Sequence, residues 1–428
     1  MSRVCRVAVT AVLAALVVAG AVVAPSTAAA APGDIGYLDQ SFTGAPNPPT
    51  ADKPQSKLWS NDGSWWAVMF DSVSRTWHIH RLDRSTQTWV DTGVPVDDRR
   101  ETSSDVLWDG TELSVATNWV AVSNTTAPQA SVPGRPARLY RYSYSPVTKA
   151  YTLDAGFPTA VNDASSESLT IAKDTTGTIW ATWTQVSGSA TSGWSAAVYM
   201  NSATDGGATW GTPAVLQATN TNTAVSTDDM SAVVTFGGNK VGLLCGNQAD
   251  DTVYWAVHVD GTAAGQWQGS VAVRGRGQVD DHLNVRSLQS DQAGRVYAAV
   301  KTSLGELDTS APTDPMIQLL QFKPGTGAWS VTTIGTLADC HTRPQVVLDE
   351  QQQMVHVVAT APSSGGCPAP GTPGTVYQKS APMADPVFPA GRGTPIIRDA
   401  DSPPSTTPRR PSRRWTAAPA WSCWRATP

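Results

Sequence analysis

The sequence is poor in charge, and after its first segment it has no long apolar run. Charged residues make up 15% of the 428 residues, and the formal net charge is −5. Because phosphate binding relies on clustered Lys and Arg, and no such cluster is present, nucleic acid is excluded as an expected partner. Past Val23 there is no stretch of about 18 apolar residues, so no membrane-spanning helix is predicted.

Cysteine is also scarce, with five residues, and none of them stands in a CxxC spacing. An HExxH motif is absent as well, so no zinc site is predicted from motif spacing. Cys340 and Cys367 flank one predicted hairpin, and in an exported protein they are expected to form a disulfide. Cys245 lies within an apolar run and is expected to be a buried thiol.

Residues 1–30 have the layout of a secretory signal peptide. Arg3 and Arg6 give a basic start, an apolar run extends from Val7 to Val23, and small residues follow at 28–30. Cys5 precedes the apolar run, so it cannot carry a lipid anchor after cleavage. The sequence therefore predicts a secreted, extracellular protein, and we expect it to be a monomer.

The residues that are abundant point to many short strands. Gly, Pro and Trp number 35, 31 and 17, and one pattern recurs six times at a period of roughly 50 to 60 residues. Each repeat has an apolar hairpin, a third strand, and then in five repeats an aromatic residue. The predicted first strands begin at Ser56, Asp105, Ser168, Ser231, Leu283 and Gln345, and the aromatic residues are Trp89, Tyr151, Trp210, Trp267 and Trp329.

No helical periodicity accompanies these repeats. The pattern predicts an all-β fold, a β-propeller of six four-stranded blades, over residues 31–402. In residues 403–428, rich in Pro and Arg, no strand is recognisable. Two interpretations of this tail stay open. It is either a native disordered segment or the product of a frameshift near Pro403, whose correction would begin a seventh blade closed by a strand at 36–42.

The third repeat contains Asp205-Gly-Gly-Ala-Thr-Trp210, with Ala203 two residues before the Asp. This segment resembles the Asp-box turn, S-x-D-x-G-x-x-W, of bacterial sialidase-like (BNR) propellers. The resemblance implies the propeller fold and sialidase-type glycoside hydrolysis. It also implies that this turn is structural and lies away from the active site.

In a propeller the first strand of each blade lines the central channel. The loops that lead into these strands, here called inlet loops, therefore gather on one face, where binding sites usually form. Every predicted inlet loop carries ionisable groups. An arginine clamp on a carboxylate or sulfate is expected from Arg343 with Arg99 or Arg100. The complete set of predicted ligand-binding residues is Lys53, Arg99, Arg100, Asp163, Asp228, Asp280, His282, His341 and Arg343.

The predicted catalytic residues are Asp281, Asp229 and Glu167, because glycoside hydrolysis uses one protonated and one ionised carboxyl group. The adjacent aspartates equally suit calcium, whereas no other cofactor is predicted. The opposing interpretation is that Asp and Asn in these loops only cap turns. His78 and His80 place two imidazoles on one strand face, but the pattern supplies no third metal ligand.

Taken together, these features predict a secreted propeller that binds a glycan or a similar extracellular ligand at the channel face. Two alternatives stay open: a sialidase-like glycoside hydrolase, and a structural or adhesion scaffold without a small-molecule site.

Overall fold

The computed structural model describes residues 44–45, 54–120, 129–280, 287–361 and 375–397. These residues belong to one unit, Asp34–Pro428. Their strands form six antiparallel sheets arranged as a six-bladed β-propeller, which confirms the predicted fold class. The helices in these ranges are two short 3-10 turns, Leu304–Glu306 and Leu337–Asp339. No helix in the described part has the length and apolar character needed to cross a membrane.

The strands of the first three blades follow the chain in order. Blade 1 contains β1 (Leu58–Asn61), β2 (Ser64–Asp71), β3 (Thr76–Asp83) and β4 (Thr88–Asp97). Blade 2 contains β5 (Thr102–Trp108), β6 (Glu112–Trp119), β7 (Arg138–Ser145), β8 (Ala150–Leu153) and β9 (Thr159–Ala160). Blade 3 contains β10 (Leu169–Lys173), β11 (Ile179–Ser189), β12 (Gly193–Ala203), β13 (Ala214–Val215) and β15 (Ala224–Val225).

The remaining blades repeat this plan. Blade 4 contains β14 (Ala218–Thr219), β16 (Ser231–Phe236), β17 (Lys240–Asn247), β18 (Thr252–Val259) and β19 (Trp267–Arg274). Blade 5 contains β20 (Ser287–Ser290), β21 (Val296–Lys301), β22 (Pro315–Lys323) and β23 (Ala328–Thr336). Blade 6 contains β24 (Thr342–Asp349), β25 (Met354–Thr360), β26 (Val376–Pro382) and β27 (Thr394–Ile397).

Both faces of a blade are apolar because each blade is packed between two others. In blade 4, Val234 and Trp255 enter the core shared with blade 5, whereas Val233 and Tyr254 enter the core shared with blade 3. Successive side chains on a strand point to opposite faces, so an almost continuous apolar strand serves both cores. Five such cores join consecutive blades from 1 to 6.

Four of the five aromatic residues that follow the third strands pack on cores between neighbouring blades, whereas Trp89 packs on Leu58, Ala67 and Met69 of its own blade. Tyr151, Trp267 and Trp329 contribute to cores between neighbouring blades. Trp210 also packs on such a core, but it lies in the loop before β13 rather than in a fourth strand. The loop position leaves the ring half-buried.

The first strand of each blade packs against the first strand of the next, and side chains join these inner strands to neighbouring backbone. Asp105 accepts hydrogen bonds from Ser56 N at 2.5 Å and from Ile171 N at 2.9 Å. One carboxylate thus connects the inner strands of blades 1, 2 and 3. Elsewhere Thr170 Oγ1 accepts from Val233 N at 3.1 Å. These bonds satisfy inner-strand N–H groups that no sheet partner reaches.

Candidate functional site

A cavity of about 540 Å³ lies between blades 2 and 3. Residues 159–163, at and after the end of blade 2, form one side, and residues 208–213 form another. Gln185 of β11 and Tyr199 of β12 complete the lining. The volume falls within the roughly 300 to 1,000 Å³ of ligand pockets, and a mixed aromatic and polar lining is typical of such sites.

Hydrogen bonds between the two blades hold the cavity walls in place. Asn201, which is buried in blade 3, donates to Val161 O at 2.9 Å and to Gly211 O at 2.8 Å. Thr159 Oγ1 donates to Gly207 O at 2.6 Å and accepts from Trp210 Nε1 at 3.2 Å. Because the bonds of Asn201 to Val161 and of Thr159 to Gly207 and Trp210 cross from one blade to the other, the cavity is pre-formed rather than assembled by a ligand.

The turn from Asp205 to Trp210 is held by its own hydrogen bonds and packs tightly against blade 2. Asp205 Oδ1 accepts from Thr209 N at 2.9 Å, and this bond holds the pKa of the carboxyl below its usual range. Gly207 has a φ of +89°, and a Cβ there would lie 2.1 Å from Leu139 Cδ2 of blade 2, so only glycine fits. The end of the same turn, from Ala208 to Trp210, also forms cavity wall.

Asn162 is the most informative side chain of the wall. It is 6% exposed, and its Oδ1 accepts from Ala137 N at 2.7 Å. Its buried Nδ2 has no hydrogen-bond partner among the described residues. Nearly all buried polar groups in folded proteins are paired, so an unpaired amide in the wall of a cavity makes Asn162 a candidate ligand contact.

The neighbouring side chains add an acceptor and an aromatic surface. Asp163 is exposed, and its carboxylate has no partner in the described part of the chain. Tyr199 is half-buried and stacks on Trp183, with ring centroids 6.0 Å apart and planes 25° apart. Among the described residues that line the cavity, Asp163 is the only charged one. The site thus offers hydrogen bonding and ring stacking without a cation.

Each of the two predicted arginines of the blade 2 inlet loop pairs with a carboxylate of the protein. The guanidinium of Arg99 forms two hydrogen bonds with the buried carboxylate of Asp97, at 2.9 and 2.7 Å. It also donates to Pro136 O at 2.7 Å and to Thr117 Oγ1 at 3.2 Å. Arg100 is exposed and pairs with Glu101 at 2.7 Å. Arg99 therefore braces the inlet loop of blade 2 against its own sheet.

Asp228 and Asp229 converge on one amide in blade 4. Gln248 Nε2 donates to Asp228 Oδ1 at 3.1 Å and to Asp229 Oδ1 at 3.2 Å. Asp229 also accepts from Ser226 N at 2.7 Å and is 1% exposed. Burial raises the pKa of Asp229 to about 7. Asp229 thus has the raised pKa that the predicted general acid needs, but it is too deeply buried to contact a substrate.

Other predicted residues lie apart from the cavity. Asp280 is buried and forms an ion pair with Lys301. His341 is buried with Nε2 3.0 Å from Arg392 O, and burial lowers its pKa to about 4, so it is neutral at pH 7. Arg343 is half-buried at the irregular start of β24, with a φ of 52°. Glu167 is half-buried in the inlet loop of blade 3.

The inner ends of blades 1 to 3 are occupied by a polar network. Gln55 Nε2 donates to Asn118 Oδ1 at 2.8 Å and to Leu169 O at 3.0 Å, and its Oε1 accepts from Ser103 Oγ at 3.0 Å. Asn118 in turn donates to Ser166 O at 2.8 Å. These groups satisfy one another, in contrast to Asn162.

Four of the predicted residues, Lys53, Asp281, His282 and Cys367, lie outside the described residues, and their roles stay predictions. Cys340 is buried at the end of the second 3-10 turn, and its bridge to Cys367 also stays a prediction. Cys245 is a free, buried thiol, as expected. The roles assigned to the other predicted site residues also stay predictions.

Of the cavity residues, sequence reasoning named only Asp163 as a ligand contact. Asn162 was visible beside it in the same inlet loop, but nothing in the sequence shows that its amide is orphaned. Tyr199 and Trp210 were recognised only as strand and packing residues. Their joint position depends on the contact between blades 2 and 3, which a single repeat does not encode.

No protein family and no curated protein matches this chain. Among solved structures, it is similar to the polysaccharide lyase Uly1, at 11% identity over 90% of this chain and 87% of that one, with a TM-score of 0.45. An α-L-arabinanase of Penicillium chrysogenum, complexed with arabinobiose, is 11% identical over 83% of this chain and 100% of that one, with a TM-score of 0.45. The α-L-arabinofuranosidase Arb93A of Fusarium graminearum is 10% identical over 82% and 98%, with a TM-score of 0.44. Likeness at this level says nothing about what this chain binds.

Proposed function

We propose that this protein is exported and binds a glycan in the cavity between blades 2 and 3. The orphan amide of Asn162, in a wall that also contains Tyr199 and Trp210, carries the proposal. A sugar ring has hydroxyls around its edge and C–H groups on its faces. The hydroxyls satisfy the amide and the Asp163 carboxylate, while an aromatic ring packs against a C–H face. Export rests on the signal-peptide pattern of residues 1–30.

Binding suits this site better than hydrolysis. Glycoside hydrolysis generally uses two carboxyl groups about 5 to 9.5 Å apart on either side of the bond to be cleaved. Asp163 is the single carboxylate among the described residues of the cavity. The alternative acid, Asp229, is buried in the inlet loop of blade 4. We therefore infer a binding module whose ligand is released unchanged.

Glycan-array binding of the full chain, followed by calorimetry with the best oligosaccharide, tests the proposal. Asp163→Asn and Tyr199→Ala should each weaken binding by about tenfold or more, because each removes a contact to the ligand. Asp163 is exposed and has no structural partner, so Asp163→Asn should leave folding intact. Asp98→Asn is the matched control, an exposed aspartate in the inlet loop of blade 2.

Two results would contradict the proposal. If no glycan binds, the cavity has another ligand or none. If a glycan binds with unchanged affinity to both cavity variants, but loses affinity in Arg343→Ala, the channel face predicted from the sequence is the site. A chromogenic glycoside panel run beside the array would detect hydrolysis, which the binding proposal does not expect.

A further inference from the structure

A second cluster of ligating side chains lies in blade 1, away from the cavity. Asp71 at the end of β2, His78 in β3 and Asp91 in β4 each offer one ligand atom, and these atoms lie within 4.8 Å of one another. His78 belongs to the pair of imidazoles that the sequence placed on one strand face. The missing ligands come from the two neighbouring strands, which the sequence pattern of β3 alone does not reveal.

Both ring nitrogens of His78 lie within hydrogen-bond distance of an oxygen. Its Nε2 lies 3.0 Å from Thr76 Oγ1, and its Nδ1 lies 2.8 Å from Asp91 Oδ2. In one tautomer the Thr76 hydroxyl donates to Nε2 and Nδ1–H donates to Asp91. In the other, Nε2–H donates to the hydroxyl, and the Nδ1 lone pair and the Asp91 carboxylate face each other as two ligands of one ion. Nε2–H donation to an oxygen is also the usual way in which a metal-binding imidazole is oriented.

His80 provides a second, independent observation. It is 0% exposed, its Nδ1 lies 3.2 Å from His78 O, and its Nε2 has no hydrogen-bond partner in the described part of the chain. Asp91 is its register partner on β4, and the charges of Asp91 and Asp71 both act on its imidazole. A fully buried imidazole without an Nε2 partner among the described residues therefore lies next to the cluster, within reach of the charges of both carboxylates.

We propose that Asp71, His78 and Asp91 bind one divalent first-row transition-metal ion, with zinc as the best fit. One imidazole nitrogen and two carboxylate oxygens suit Zn²⁺, whereas Ca²⁺ takes oxygen ligands almost exclusively. On binding, the ion takes the place of the hydrogen between His78 Nδ1 and Asp91, and the neutral imidazole carries its one hydrogen on Nε2. That Nε2–H donates to Thr76 Oγ1, which orients the imidazole.

Calorimetric titration of Zn²⁺ into the chelator-treated full chain tests this site. One ion per chain is expected, with a saturable rise in melting temperature. His78→Ala and Asp91→Asn should each weaken the affinity at least tenfold, and Thr76→Val should weaken it about tenfold because the imidazole loses its orienting partner. Asp83→Asn is the matched control: Asp83 ends β3 and caps a turn through Ser85 N, as Asp71 does through Ser74 N.

The Zn²⁺ titrations of the variants decide whether the three residues form a metal site. Loss of Zn²⁺ binding in both Asp91→Asn and His78→Ala, with retention in Asp83→Asn, supports the site. If His78→Ala fails to fold, Asp91→Asn decides, because the Asp91 side chain is 35% exposed. The proposal is overturned if the wild-type chain binds neither Zn²⁺ nor Co²⁺, if it binds only Ca²⁺, or if both ligand variants bind Zn²⁺ as tightly as the wild type.

Discussion

The inlet loops of blades 2 and 3 have similar polar composition but opposite fates. In blade 2, Asp97 and Arg99 bond to each other and to the sheet behind them. In blade 3, the Asn162 amide and the Asp163 carboxylate have no partner within the described residues, and both residues line the cavity. The comparison shows that a charged residue in a loop does not by itself indicate a ligand-binding site. A polar group without a partner in the protein is the better indicator.

The physical reason is the cost of burial. A buried charge without a partner is so unfavourable that the protein supplies one, and the pair then belongs to the structure. Leaving a neutral amide unpaired costs much less free energy of folding, so the folded protein can keep such an amide available for a ligand. Three predictions test this contrast between charges that the protein uses internally and the Asn162 amide and Asp163 carboxylate, which have no partner among the described residues.

The largest effect is expected from Asp97→Ala. The substitution leaves the guanidinium of Arg99, 12% exposed, without its carboxylate, and breaking such a pair costs about 3 to 5 kcal/mol. The free energy of unfolding from denaturant titration measures this loss. The affinity of the folded variant for glycan should be unchanged. A loss below about 1 kcal/mol would show that the pair is not structural.

The next effect concerns Asp229, whose unfolded carboxyl has a pKa of 3.8 and whose folded pKa is about 7. The folded state binds the extra proton between these values, so stability falls as the pH rises from about 4 to 7, by on the order of 3 kcal/mol. His341, with a folded pKa of about 4, acts in the opposite direction below pH 6.5. Asp229→Asn should remove the Asp229 contribution from the pH profile of unfolding. Asp228→Asn is the control, and an unchanged profile in Asp229→Asn would refute the assignment.

The smallest effect is expected from Arg100→Ala in the same inlet loop as Asp97. The Arg100 side chain is 43% exposed in a surface pair with Glu101, and such pairs contribute less than about 1 kcal/mol. Denaturant titration should therefore give nearly the wild-type value, and glycan affinity should not change. A tenfold loss of affinity would instead support the arginine clamp at the channel face and break the contrast drawn above.

The repeat pattern predicted most of the fold because the information is local. Each hairpin combines apolar strands with a turn of specific chemistry, as in Phe236 and Lys240, which pair across Gly237 and Gly238. The register of β16 and β17 follows directly. Trp210 differed because the chain runs on after the Asp-box turn before β13 begins, and the length of that loop is not set by the apolar pattern.

The candidate site was much less predictable, for a reason that Asp163 and Tyr199 make clear. Asp163 was recognisable from its inlet loop, but Tyr199, which lines the same cavity, lies 36 positions later on β12. Arg99 was recognisable as a charge, but its use depends on Asp97 at the end of blade 1 and on Thr117 in blade 2. Whether a polar group has a hydrogen-bond partner depends on how the blades pack together. The sequence therefore identifies candidate site residues but does not show which of them are available to a ligand.

The bond pattern of Asp105 bears on how a propeller of this kind changes over evolution. Blades are thought of as interchangeable units that duplication or deletion adds and removes. Here one buried carboxylate accepts from the backbone of blade 1 and of blade 3 at once. Inserting or removing a repeat next to blade 2 would remove one of the two backbone N–H donors of the Asp105 carboxylate. The carboxylate would then be buried with one hydrogen bond instead of two. We therefore expect the first three blades to tolerate a change in repeat number poorly.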